Sequence, residues 1–218
     1  MRYSPKLAEA WEHFDRGDYT GAVAEARIKW RALYPDDGAS EGWLLLGLAL
    51  DAIEWQAEAV ECLTVLCKGS ELADNWCHLA VATLHAGNRK LSEEAFEQVR
   101  LCHQVSRYAQ RPGLFWHLFA YAHALLEAGD LPGTRALLDE IGDGMRRLPN
   151  VEPALLVARG MPTFPGLLEL AVRYFRAACA PDAGTAWLQA LGEGVDAESG
   201  RQVARAMKEL RETDGCPA

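Results

Sequence analysis

Residues 41–63 read EGWLLLGLALDAIEWQAEAVECL. Trp43, Leu44, Leu45, Leu46, Leu48 and Leu50 crowd one stretch, so a helix here is oily on nearly every face. A helix of a small water-soluble domain normally turns one polar side outward. This one therefore needs protein on most of its circumference. At eight residues, the apolar run Trp43–Leu50 is far short of the roughly 18 needed to span a bilayer, so other helices of the chain must cover it.

The rest of the sequence supplies them. Sustained apolar/polar alternation and Asn-Gly hairpin turns between β-branched runs are missing, whereas helical spacing with short Gly or Pro breaks runs almost end to end. Helices are expected near 5–16, 19–34, 40–53, 55–68, 72–86, 91–110, 113–128 and 131–147. Shorter ones follow near 152–160, 166–180, 183–192 and 196–212. Gly17-Asp18, Gly87-Asn88 and Gly129-Asp130 each pair a helix-ending glycine with a residue able to cap the next helix. Ser4-Pro5 suits a helix start, and Ser92 with Glu93 and Glu94 suits another.

Laid in register, YSPKLAEAWEHFDRGD, SEGWLLLGLALDAIEW, ADNWCHLAVATLHAGN and FWHLFAYAHALLEAGD share apolar positions and a terminal turn, starting at residues 3, 40, 73 and 115. An alanine-rich helix follows each. Two helices recurring at thirty-odd residues mark an α-solenoid, in which each unit buries its faces against its neighbours.

Here the chain resembles the tetratricopeptide repeat, a helix–turn–helix unit of about 34 residues with the pattern W-x2-L-G-x2-Y, then A-x3-F, then P. Trp43, Leu46 and Gly47 match the first part, and Ala59 with Leu63 approximates the second. Trp76, Leu79 and Ala80 carry it in the third block, and Gly17-Asp18-Tyr19, Ala22 and Pro35 in the first. Ala171 and Phe175 show the A-x3-F spacing, with Pro181 nearby. The repeats are degenerate: Glu54-Trp55 occupies one turn, residues 90–92 displace the second helix of the third unit, and GMPTFPG breaks the first helix of a fifth. The resemblance implies an all-α right-handed superhelix of about five units over residues 3–181. A capping or sixth hairpin over 182–212 and a flexible tail at 213–218 would follow.

The resemblance further implies a concave groove lined by the first helix of each unit. The positions it points to are Leu7, Trp11 and Phe14; Leu44 and Leu48; Cys77, Val81 and Leu84; and Trp116, Phe119 and His123. The few polar exceptions are Glu41, Asp51, Asp74, His85, Asp15 and Glu127, whose carboxylates make the edges acidic. The Lys, Arg and Asn set with which some family members hold a peptide's terminal carboxylate is missing. An apolar floor suits an amphipathic helix or apolar segment of another protein. It could equally be covered by the C-terminal helices or by a second copy of the chain.

The net charge of −9 argues against general binding of nucleic acid or anionic membrane, which both rest on basic surface. The start, MRYSPKLAEAW, has no apolar core of a signal peptide, so a cytoplasmic protein is expected. Cys62, Cys67, Cys77, Cys102 and Cys179 fall within apolar helical pattern and are expected as reduced, buried thiols, with Cys216 exposed. His and Cys spacing fits no metal motif, and no cofactor loop or nucleophile elbow occurs. His123 with Glu127 is the one pair placed for proton transfer, without a nucleophile beside it. The basic stripes Arg100, Arg107, Arg111 and Arg201, Arg205, Lys208 read as solvated faces laced with Glu198, Glu209 and Glu212.

The expected function is a non-enzymatic interaction scaffold binding an apolar segment of another protein. A secretion-type chaperone shielding a client, or a self-assembling structural protein, is the alternative.

Overall fold

The computed structural model describes residues 4–30, 39–105, 112–148 and 150–212. Pro35, Arg107, Arg111, Cys216 and the tail at 213–218 lie outside them. Among the described residues the structure is all-helical, with twelve helices. It divides into two compact units, Met1–Tyr108 and Ala109–Ala218.

The first unit holds α1 (Ala8–Asp15), α2 (Tyr19–Trp30), α3 (Ala39–Ala52), α4 (Gln56–Cys67), α5 (Ala73–His85) and α6 (Arg89–Val105). Each helix packs on the next, and α3 also meets α1 and α5. That arrangement accounts for the oily stretch. Leu45, Leu46, Ala49 and Leu50 are buried with Leu7, Trp11, Ala22 and Val23, while Trp43, Leu44 and Leu48 are half-buried against the same cluster. Gly47 lets α4 come close, since a Cβ there would lie 2.5 Å from Leu63 Cγ.

The second unit holds α7 (Leu114–Glu127), α8 (Leu131–Arg146), the short α9 (Pro153–Ala158), α10 (Phe164–Ala177), α11 (Pro181–Leu191) and α12 (Ala197–Arg211). Helix α10 packs on α7, α8, α11 and α12. The end of α9 meets the start of α7, where Trp116 donates its backbone N–H to Gly160 O at 3.1 Å.

Five helix pairs share one turn. In α1–α2, α3–α4, α5–α6, α7–α8 and α10–α11 the second residue after the first helix has positive φ: Gly17, Glu54, Gly87, Gly129 and Cys179. The next residue donates its N–H back into the last turn of the helix, as Asp18 to His13 O, Trp55 to Leu50 O, Asn88 to Thr83 O, Asp130 to Leu125 O and Ala180 to Phe175 O. This is the Schellman closure of a helix end. Asp18, Asn88 and Asp130 then cap the following helix through their side chains, accepting from Gly21, Leu91 and Gly133 N–H. Five residues after the positive φ comes a small buried residue: Ala22, Ala59, Ser92, Thr134 and Gly184.

The shared register corrects several expectations. Ser4 does not cap a helix at residue 5; α1 starts at Ala8 and the Ser4 N–H is bound to Glu41 instead. Residues 90–92 do not displace α6 but form its first turn, with the Ser92 hydroxyl donating to Ala80 O at 2.7 Å. Ala171 and Phe175 lie on α10, the first helix of its pair, and Pro181 opens the second. The paired turn is thus at 178–180, and α11 belongs with α10. Cys179 is exposed and disulfide-bonded rather than a buried thiol, because it stands in the turn and not on a packed face. Cys62, Cys67, Cys77 and Cys102 are free and buried as expected.

Candidate functional site

In the first unit half of the expected floor positions are buried and the other half are half-buried. Leu7, Trp11, Cys77 and Leu84 are buried in the unit's own core, which corrects their assignment to an open floor. Leu7 and Trp11 share one buried cluster with Ala22, Val23 and Ala26 of α2 and Leu45, Leu46 and Ala49 of α3. The Trp11 indole N–H donates to Glu41 at 2.8 Å, and Glu41 also takes the Ser4 N–H at 3.0 Å. Phe14 sits edge-on to Trp11, with ring centroids 5.5 Å apart, and is half-buried, as are Leu44, Leu48 and Val81.

The second unit presents a more open surface. On α7, Trp116 is 41% exposed. Phe119 lies 6.0 Å from it between centroids, and His123 meets Phe119 edge-on at 4.6 Å. One-turn spacing puts all three on one face of the helix. With α12 present in the structure Trp116 stays exposed, so residues 183–212 do not cover it.

Beside this aromatic face stands Arg173 of α10. Its Nη1 is 3.3 Å from His123 Nδ1, and its Nη2 is 3.6 Å from Glu127 Oε1. Burial, and then the neighbouring guanidinium, push the His123 pKa below its ordinary value; Glu127 and Glu169 oppose the shift. The neutral ring accepts from arginine. His123 and Glu127 are therefore both engaged with Arg173, a residue the sequence reading did not single out. Counting back from Cys179 in the shared register sets Arg173 level with Trp11, Leu48, Val81 and His123, and Glu169 level with Leu7, Leu44, Cys77 and Phe119. The missing glycine at 179 and the misleading Ala171–Phe175 spacing hid this correspondence.

The acidic edge is largely committed within the chain. Asp51 meets His85 Nδ1 at 3.0 Å, joining α3 to α5, and Asp74 is 3.6 Å from His78. The basic stripe of α12 is laced as expected: Arg201 pairs with Glu198 and Lys208 with Glu212. A cleft of about 380 Å³ separates α10 from α12, with Leu168 and Val172 on one side and Arg205 and Ala206 on the other.

Among the described residues no three His, Cys, Asp or Glu side chains converge to hold a metal ion, and no helix is long and apolar enough to cross a membrane. In comparison with known proteins, no family model and no curated protein matches the chain.

Proposed function

We propose that this protein is a tetratricopeptide-like interaction scaffold that holds an apolar or amphipathic segment of another protein on the first-helix face of its helix pairs. The observation that carries the reading is the exposed Trp116, lined up with Phe119 and His123 on α7. Exposed tryptophan is costly to leave in water and is enriched among residues that dominate protein interfaces. The common turn and register of five helix pairs support a repeat architecture. Arg173 and Glu169 on α10 add charge of both signs next to the aromatic face, which suits an amphipathic partner better than a wholly apolar one.

Selection from a displayed peptide library tests the reading. Enriched peptides should carry apolar residues at i, i+3 or i+4, and i+7, and should lose affinity for Trp116→Ala and Phe119→Ala proteins. Enriched peptides that bind both variants as well as the parent would place recognition elsewhere.

A further inference from the structure

Three of the five shared turns use glycine at the positive-φ residue and Asp or Asn next, the pairing that satisfies both backbone and cap. The α10–α11 turn departs from it and carries the disulfide at Cys179. The α3–α4 turn departs without any such bond. Glu54 takes φ +62°, and Trp55 stands at the N-cap of α4 with no side-chain cap. Trp55 is also 48% exposed. At one turn the chain forgoes the relaxed backbone, the cap and the burial of its largest side chain. Local strain of this kind concentrates where a side chain is displayed for use.

Trp55 forms one wall of a cleft of about 440 Å³, whose other sides are Thr20, Val23, Ala24 and Arg27 of α2 with Ile53. Ile28, one turn beyond Ala24, is exposed and extends the apolar strip. The Arg27 guanidinium lies 5.6 Å from the Trp55 ring centroid and is ion-paired with Glu58, so its charge is balanced. The Glu54 backbone N–H donates to Asp51 O at 3.0 Å, whereas its carboxylate has no ion pair or hydrogen bond among the described residues. The charge left over at the rim is therefore negative, on a chain of net charge −9.

We infer that the cleft beside Trp55 is a second docking site, which takes an apolar side chain of a basic peptide segment from another protein. The apolar side chain fills the space between Trp55, Val23 and Ile53. A flanking lysine or arginine meets Glu54. The site lies on α2 and the α3–α4 turn, so it is separate from the Trp116 face and stands or falls independently of it.

Fluorescence anisotropy with three labelled peptides tests the inference: Lys-Lys-Phe-Lys-Lys, the same with serine for phenylalanine, and Glu-Glu-Phe-Glu-Glu. Saturable binding of the first alone is expected. Trp55→Ala should weaken it roughly tenfold, as loss of an aromatic anchor does, and Glu54→Gln by about two- to threefold, as loss of an exposed charge does. Ala24→Arg, at an exposed helix position that tolerates arginine, should fill the cleft and abolish binding, whereas Trp116→Ala should leave it unchanged. Equal binding of the serine peptide, or affinity indifferent to Trp55→Ala and Ala24→Arg, overturns the inference. So does sedimentation showing a dimer that Trp55→Ala dissociates, because the occupant would then be a second copy of the chain.

Discussion

Arg173 and His123, 50 residues apart in sequence, meet at 3.3 Å between Nη1 and Nδ1 and so join α10 to α7. The contact requires a ring nitrogen free to accept, which ties this part of the second unit to the neutral imidazole.

A pH dependence follows. The folded His123 pKa lies below the ordinary value of 6.5, through burial first and the guanidinium second. As pH falls through 6.5 the unfolded chain takes up the proton before the folded one, and stability is lost in that window. Thermal melts from pH 8 to pH 5.5 should show a steeper fall for the parent than for His123→Gln. Parallel curves would remove the role assigned to the ring.

Gly113 and Gly160 fit only because neither has a side chain. A Cβ on Gly113 would come 2.9 Å from Gly160 Cα, and one on Gly160 would come 2.5 Å from Gly113 N and Cα at φ +64°. Backbone cannot yield as a flexible side chain can. Gly113→Ala should cost about 1–3 kcal/mol. Gly160→Ala should cost roughly 1 kcal/mol more for the left-handed backbone. Urea midpoints of the two variants should rank in that order, and a parent-like midpoint for Gly160→Ala would disprove the close crossing.

Glu54→Gly should stabilise the first unit. Relief of the left-handed backbone, worth about 1–2 kcal/mol, exceeds the added chain entropy of glycine, about 0.5–1 kcal/mol. A net gain approaching 1 kcal/mol should appear as a raised urea midpoint. A lowered midpoint would mean that Glu54 makes stabilising contacts in the folded chain.

Four thiols should resist modification while the chain is folded. Burial pushes Cys62 up to about 11 and Cys67 and Cys77 up to about 12, and it also raises Cys102. The thiolate is the reactive species, so little is present at pH 8. Peptide mapping after alkylation should find these four labelled in denaturant and unlabelled without it. Rapid native labelling of Cys77 would contradict its place in the core.

The helices were legible in the sequence because their causes are local. Apolar spacing placed all twelve, and Gly17-Asp18, Gly87-Asn88 and Gly129-Asp130 marked three turns by the backbone freedom of one residue and the capping oxygen of the next. Glycine cannot mark a turn where Glu54 or Cys179 stands in its place, and the second of these concealed that α10 opens a pair. The groove positions were legible only as one side of each first helix. Whether such a side is covered depends on which other helices pack against it. In the first unit the packed helices leave Leu7, Trp11 and Cys77 in the core. In the second, Arg173 of α10 meets the aromatic face of α7 at its His123 end and leaves Trp116 in water.

Chain-local chemistry, then, determined where this protein turns and which stripe of each helix is apolar, because hydrogen bonding within a helix and the allowed φ of one residue involve only near neighbours. Tertiary structure alone decided which apolar stripes were sealed and which stayed open, and it brought Arg173 to His123 and Glu41 to Trp11. Those outcomes depend on distances between segments 30 to 50 residues apart, which packing sets and no local pattern encodes.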